Sequence, residues 1–208
     1  MNTSQSARKP RTLRGEILNV PNLLTMGRIA LIPPVMLLML WGTPEANFYA
    51  ALLFSIAAIT DWLDGFLARR QGLESVFGKF LDPLADKLIV LATLIVATQL
   101  HHVPGWFVVL LLSRELAVTG LRALAGNEGF TIDVVRTGKY KTALQLLGII
   151  GIILHERYLI DFGFAERVID FNLLGIGLLS LSLFFSLLSA GIYFYRFTQA
   201  AAAQPDRD

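Results

Sequence analysis

The chain contains no cysteine. Disulfide bonds, thiol catalysis and cysteine-ligated zinc sites are therefore excluded. Charged residues are also scarce, at 16% of the 208 residues, whereas an average soluble domain has about a quarter. A soluble protein of this length would need more polar surface than this composition supplies. We therefore expect an integral membrane protein rather than a soluble helical protein with an unusually apolar core.

The first 20 residues lack the short apolar core that a cleavable signal peptide needs. They are polar and carry four basic side chains, at Arg8, Lys9, Arg11 and Arg14. We expect residues 1–20 to form a basic cytoplasmic arm that rests on anionic lipid. Residues 21–197 are expected to form one membrane domain, and residues 198–208 a disordered tail.

Apolar runs of about bilayer length predict six transmembrane helices. The predicted fold is therefore an all-α membrane bundle. Pro33 and Pro34 are expected to kink the first helix, and the sixth contains no charged residue. The predicted spans are residues 22–41, 48–68, 80–100, 104–124, 141–154 and 171–195.

Basic residues are concentrated in alternate links between these spans, which sets the orientation of the chain. The links after the first and third spans lack lysine and arginine, and the last link has only Arg157 and Arg167. Both termini are therefore predicted to be cytoplasmic. The basic links hold Arg69, Arg70, Lys79, Arg136 and Lys139.

This orientation brings the ionisable residues of spans two to five toward the cytoplasmic side. Asp61 and Asp64 lie near the end of an inward-going helix, and Asp82 and Asp86 lie near the start of the next one. Arg114 lies about 15 Å into the fourth span, close to mid-bilayer. Because ionisable groups at membrane depth are costly, they indicate a functional polar cavity that opens to the cytoplasm.

The four aspartates are spaced so that two helices can present them to each other. Asp61 and Asp64 are three residues apart and share a helix face, and Asp82 and Asp86 are four apart and share another. Four uncompensated carboxylates in one place would repel one another. A divalent cation with hard oxygen ligands, Mg²⁺ or Mn²⁺, would relieve this repulsion. The alternative is a set of helix-end salt bridges with Arg69, Arg70, Lys79 and Lys87.

Small residues beside these carboxylates leave room for a ligand or a neighbouring helix. Gly65, Ala68 and Gly78 are the small residues, and Arg69 adds a cation where a diphosphate could lie. Pro83 implies that the third helix either begins close to Asp82 or bends there.

At this point the pattern resembles a known family. The arrangement D-x2-D-G-x2-A-R-x8-G-x3-D-x3-D, from Asp61 to Asp86, is similar to the signature of the CDP-alcohol phosphotransferases. Eight specified positions occur over 26 residues with the spacing intact. The resemblance implies a homodimeric six-helix membrane enzyme that transfers a substituted phosphate from a CDP-linked donor to an alcohol and releases CMP.

The resemblance also implies roles for individual residues. Asp61, Asp64, Asp82 and Asp86 would bind metal, and Asp86 would be the general base that deprotonates the acceptor hydroxyl. The residues expected to contact the CDP moiety are Gly65, Ala68, Arg69, Gly78, Asn22 and Thr25.

Three further segments resemble the branch of the family that accepts glycerol 3-phosphate, with CDP-diacylglycerol as donor. They are residues 19–28, 113–116 and 138–142. An acceptor that carries its own phosphate needs fixed cations, and Arg114, Lys139 and Lys141 could supply them. Two alternatives remain open here: the lysines could be ordinary cytoplasmic anchors, and Arg114 could pair with Glu115.

Other functions stay open from the sequence alone. The acceptor could be inositol phosphate or serine, and Arg28 could either line the nucleotide end or extend to the membrane surface. A cation or proton transporter would also use intramembrane carboxylates, but it would favour paired halves and broken helices. A structural membrane protein would leave the aspartates unexplained. We expect a bacterial plasma membrane enzyme with a cytoplasm-facing site and no nucleic-acid partner.

Overall fold

The computed structural model describes the backbone of residues 20–71, 76–127, 137–161, 163 and 166–202. It describes the side chains of residues 23–60, 84–121, 141–161, 163, 166–196, 198 and 199. This part of the chain forms six helices and one two-stranded hairpin. The helices are α1 (Val20–Trp41), α2 (Pro44–Gln71), α3 (Val76–Gln99), α4 (Gly105–Asn127), α5 (Thr137–Leu154) and α6 (Phe171–Ala202).

A helical segment is present at each predicted span, but several helices extend beyond the apolar runs. Helix α3 begins at Val76, so of the two alternatives for Pro83, a helix start close to Asp82 is wrong. Helix α6 continues to Ala202, so the first residues of the predicted disordered tail are helical. The reason is that helical hydrogen bonds satisfy the backbone whether the side chains are apolar or polar. Hydropathy therefore sets where a span can lie, and not where its helix ends.

The purely α prediction is wrong between α5 and α6. Strands β1 (Arg157–Asp161) and β2 (Glu166–Asp170) pair antiparallel there. Tyr158 and Ile160 are half-buried and alternate with exposed neighbours, which is the pattern of a strand with one covered face. Segment length and hydropathy predict membrane spans, but they do not predict a hairpin whose strands have only 5 residues each.

The connections between helices use local capping. Helix α1 is followed by Gly42, whose φ of 74° is the left-handed conformation that ends many helices. The Thr43 hydroxyl oxygen then accepts a hydrogen bond from the Ala46 amide at 3.2 Å, and Pro44 is the first residue of α2. An N-cap threonine followed by proline is a strong helix start. This turn makes α1 and α2 antiparallel neighbours, and α1 packs against α2 and α3.

Helices α5 and α6 approach so closely that their contact requires glycine. A Cβ atom on Gly175 would lie 2.7 Å from both the Gly148 carbonyl oxygen and the Ile152 amide nitrogen. A Cβ atom on Gly151 would lie 2.9 Å from the Cα atom of Gly175. Nearby, the Ser182 hydroxyl donates a hydrogen bond to the Lys141 carbonyl at 2.9 Å. The packing of α5 against α6 therefore also positions the N-terminal half of α5, where Lys141 lies.

Two of the helices that the structure describes are long and apolar enough to cross a bilayer. They are Leu23–Trp41 in α1 and Phe171–Arg196 in α6, and a shorter apolar stretch spans Lys141–Leu154 in α5. Within an apolar window of 18 residues in each long stretch, only 22% and 28% of the residues are buried. The core helix of a soluble protein would be mostly buried, so this exposure favours contact with lipid.

Replacing Gly175 by alanine tests the close crossing. The Cβ would meet backbone atoms of α5, which cannot move aside as a flexible side chain can, and overpacking of this kind costs about 1–3 kcal/mol. We expect Gly175→Ala to lower the unfolding temperature of the purified protein in detergent, as measured by scanning fluorimetry. Gly177→Ala is the matched control, because no atom lies within 4 Å of its added Cβ. Equal unfolding temperatures for the two variants would contradict the crossing.

A pair of histidines joins the predicted outer ends of α3 and α5. The rings of His102 and His155 stack with centroids 3.5 Å apart and planes 5° from parallel. Both Nδ1 atoms are buried without a hydrogen-bond partner among the described residues. Burial, and then the proximity of His155, lowers the pKa of His102 to about 4, while a hydrogen bond with the Ile152 backbone partly opposes this shift. The surroundings of His102 therefore favour its neutral form over its protonated form.

This lowered pKa predicts a pH-dependent stability. An unfolded histidine takes up a proton near pH 6.5, whereas folded His102 does so only near pH 4. The contribution of neutral His102 to the free energy of unfolding is therefore complete above about pH 6.5 and is lost as the pH falls toward 4. We expect His102→Phe, which keeps a stacking ring without a titrating group, to reduce the drop in unfolding temperature between pH 7.5 and 5. The control is His101→Asn, at an exposed neighbour whose φ is 62°, a conformation that asparagine tolerates. A drop as large in His102→Phe as in the unmodified chain would refute the prediction.

Candidate functional site

A cavity of about 190 Å³ lies between α3, α4 and α5. One part of its wall is polar and holds Asp86, Lys87, Glu115 and Lys141. Thr142 and Gln145 extend this polar wall along α5. The remaining wall is apolar and consists of Val90, Leu91, Leu111, Leu112, Leu116 and Leu146. A mostly apolar cavity with a few convergent polar groups is the usual form of a small-molecule site.

Glu115 joins two cations that the sequence predicts for acceptor binding. Its Oε2 atom accepts hydrogen bonds from Arg114 Nη1 at 2.7 Å and from Lys141 Nζ at 2.6 Å. The side chains of Arg114 and Lys141 are only 7% and 13% exposed, and that of Glu115 is 31% exposed. The alternative that Arg114 pairs with Glu115 is thus correct, and the pairing includes Lys141 as well. Cations this well buried need such a partner, because an unpaired buried charge is strongly destabilising.

Lys87 is a further cation on the cavity wall, and the predicted site set does not include it. Its Nζ atom donates a hydrogen bond to the Thr119 Oγ1 atom at 2.9 Å, and the Thr119 hydroxyl in turn donates to the Glu115 carbonyl at 2.9 Å. Helix α3 is thereby connected to α4 next to Asp86. Glu115 and Thr119 are four residues apart and therefore share a helix face. This spacing is a sequence signal that could have identified these two residues as neighbours in the site.

Thr25 and Arg28 lie on the buried side of α1. Thr25 has no exposed surface, and Arg28 is 2% exposed. They are three residues apart and share a face of the helix that packs against α2 and α3. The interpretation that Arg28 extends its charge to the membrane surface is wrong, because a side chain that did so would keep an exposed guanidinium. A buried arginine next to α2 and α3 is consistent with a binding role.

The four aspartates lie in the helices in which the sequence predicts them, near the end of α2 and near the start of α3. Asp61 and Asp64 belong to the last three turns of α2, and Asp82 and Asp86 belong to the first three turns of α3. The Asp86 side chain is exposed and lines the cavity. Other predicted site residues have side chains outside the described residues, so their convergence stays a prediction. They are Asp61, Asp64, Asp82, Gly65, Ala68, Arg69, Gly78, Asn22 and Lys139.

Side chains that the structure describes include no group of three or more histidine, aspartate or glutamate residues placed to hold a metal ion. Of the four aspartates expected to bind metal, only Asp86 belongs to that set. The described region therefore includes one of the predicted ligands, and its side chain shares the cavity wall with Lys87, Glu115 and Lys141.

Residues 18–190 match the protein family described as CDP-alcohol phosphatidyltransferase. The chain belongs to this family. The matched region includes every predicted site residue, from Asn22 to Lys141, and most of α6. The resemblance drawn from the aspartate spacing is thereby confirmed, and the chain is a transferase.

Individual CDP-alcohol phosphatidyltransferases resemble the chain over most of its length. A protein of Bacillus subtilis (strain 168) is 40% identical over 190 residues, which cover 85% of this chain and 93% of the relative. A protein of Rickettsia bellii is 35% identical over 176 residues, with the same coverage of both chains. One of Escherichia coli (strain K12) is 39% identical over 137 residues, 63% of this chain and 74% of the relative. All three are named CDP-diacylglycerol–glycerol-3-phosphate 3-phosphatidyltransferase.

Proposed function

We propose that the protein transfers the phosphatidyl group of CDP-diacylglycerol to sn-glycerol 3-phosphate, forming phosphatidylglycerophosphate and CMP. The observation that carries this proposal is the 40% identity, across nearly the full length of both chains, with a relative named for this reaction. The geometry of the cavity supports it. An acceptor phosphate needs fixed donors. Lys141 lies on the wall that also holds Asp86, and Arg114 is bonded to Glu115 of the same wall.

The proposed reaction is a direct displacement at phosphorus. The acceptor hydroxyl oxygen forms a bond to the phosphorus that carries diacylglycerol, and the bond from that phosphorus to the bridging oxygen breaks. The bridging oxygen leaves with the electron pair as part of CMP. The hydroxyl proton passes to the Asp86 carboxylate, whose exposed position on the cavity wall allows it to reach an acceptor there.

The residues for a divalent cation are aspartates, which fit the chemistry of Mg²⁺ or Mn²⁺. Both ions prefer carboxylate oxygen, and the chain supplies two pairs of carboxylates near the joined ends of α2 and α3. Asp61, Asp64, Asp82 and Asp86 would hold the metal, with Gly65, Ala68, Arg69 and Gly78 beside the CDP moiety. Asn22 and Thr25 would contact CDP from α1. A bound cation would stabilise the negative charge that develops on the leaving diphosphate oxygen.

We also propose that residues 21–197 form a six-span domain in the bacterial plasma membrane, with the site facing the cytoplasm. Residues 1–20 would be the cytoplasmic arm, and a homodimer is the proposed assembly. Large apolar side chains that are more than half exposed on α1, α4 and α6 support lipid contact, and these include Trp41, Trp106 and Leu173. In water, so much exposed apolar surface would promote aggregation.

The acceptor assignment is tested by measuring CMP release from CDP-diacylglycerol in detergent or lipid, with and without Mg²⁺. We expect glycerol 3-phosphate to accelerate CMP release strongly, and inositol phosphate and serine to do so weakly. If inositol phosphate were the better acceptor, the acceptor assignment would be wrong while the class of reaction stood. If none of these alcohols raised CMP release above background, the enzymatic proposal would fail.

The division of labour among the aspartates is tested by two asparagine variants. Asp86→Asn removes the proposed base, so we expect kcat to fall by about 10² to 10⁴ while the affinity for the donor is largely kept. Asp64→Asn removes a proposed metal ligand, so we expect donor binding in the presence of Mg²⁺ to weaken by roughly tenfold or more. Asp161→Asn on the exposed hairpin is the control and should match the unmodified chain. Equal donor affinity in Asp64→Asn and the control would contradict the metal-ligand role.

A further inference from the structure

We propose that Glu115 is a positioning residue for the acceptor phosphate. It holds Arg114 and Lys141 together across the space between α4 and α5, and so forms the cation pair before substrate arrives. This inference rests on the proposed function, and it assigns to Glu115 a role that acts through its two partners rather than through contact with the reacting atoms.

The first argument is geometric. A single oxygen, Oε2, accepts hydrogen bonds from both Arg114 and Lys141, at 2.7 Å and 2.6 Å. Two nitrogens bonded to one oxygen cannot lie farther apart than the length of two hydrogen bonds. That separation suits two cations that donate to different oxygens of one phosphate group. Without a shared anion, two like charges at this distance would repel each other.

The second argument concerns how the two helices are connected. Lys141 and Glu115 are 26 residues apart in the sequence. Helix α5 packs mainly against α6, while α4 packs against α3 and α6. The ionic contact through Glu115 is therefore a direct connection between the two sides of the cavity. It fixes Lys141, whose long side chain otherwise has four rotatable bonds and much entropy to lose on binding phosphate.

The third argument concerns charge. With Arg114 counted, the polar groups at the cavity are three cations (Arg114, Lys141 and Lys87) and two carboxylates (Asp86 and Glu115), so the net charge is +1. A phosphate monoester carries a charge of about −1.5 to −2 near pH 7. The group therefore stays positive toward an anionic acceptor even though Glu115 compensates the repulsion between Arg114 and Lys141.

The test compares Glu115→Gln, Glu115→Asp and the control Glu45→Gln, which removes an exposed carboxylate from the first turn of α2. Steady-state kinetics would use CDP-diacylglycerol and glycerol 3-phosphate with the full chain in detergent. For Glu115→Gln we expect the KM for glycerol 3-phosphate to rise about tenfold or more, while the KM for the donor stays within about twofold. Glu115→Asp keeps a carboxylate, so its KM for glycerol 3-phosphate should rise less. Glu45→Gln should leave both constants unchanged.

Two further measurements separate positioning from a merely structural role. Inorganic phosphate should compete with glycerol 3-phosphate, and its inhibition should weaken in Glu115→Gln in parallel with the acceptor KM. The effects of Glu115→Gln and Lys141→Gln on the acceptor KM should also be less than additive, because the two residues act as one unit.

Several outcomes would overturn the inference. An unchanged acceptor KM in Glu115→Gln would do so, as would equal changes in the donor and acceptor constants, which would indicate a general loss of structure. These results would leave the proposed function intact, because the unmodified chain would still use glycerol 3-phosphate. An unmodified chain that did not use glycerol 3-phosphate would overturn both.

Discussion

Burying charge inside an apolar helix bundle is the constraint on which the site depends. Arg114 and Lys141 are almost fully buried, and in the structure one oxygen of Glu115 bonds to both of them. The free energy of removing a cation from water is large unless a partner compensates it, so both cations depend on Glu115. Lys87 avoids much of that cost by lying on the cavity wall and donating to Thr119.

The apolar helices make this polar interior possible. The α5–α6 crossing is close because Gly148, Gly151 and Gly175 present no side chains there. In a membrane, interfaces of small residues replace the hydrophobic effect as the source of helix association. The Ser182 hydroxyl then bonds the Lys141 carbonyl, so the crossing and the cation cluster are mechanically connected. The outward faces of α1 and α6 stay apolar and exposed.

Much of the fold follows from patterns in the sequence. A helix was expected at each of the six apolar runs, and the structure has one there. The hairpin was missed, although Tyr158 and Ile160 alternate with exposed neighbours and the Asp161 carboxylate accepts a hydrogen bond from the Gly163 amide in the intervening turn. An alternation over 5 residues is a weaker sequence signal than the long apolar runs of the spans, so it did not lead to a predicted strand. Helix ends were also missed, since backbone hydrogen bonding continues beyond the apolar runs.

For the site, the family and the aspartate pattern can be read from the amino-acid sequence, because the spacing from Asp61 to Asp86 is local to two consecutive helices. The sequence also predicts Arg114, Lys139 and Lys141 as cations for the acceptor phosphate. The contacts of Glu115 with both Arg114 and Lys141, and the burial of Arg28, are seen only in the folded helix bundle. The physical reason is that such contacts depend on how far each helix is rotated and shifted against its neighbours. Packing over the whole bundle sets that arrangement, and residue spacing within one helix does not encode it.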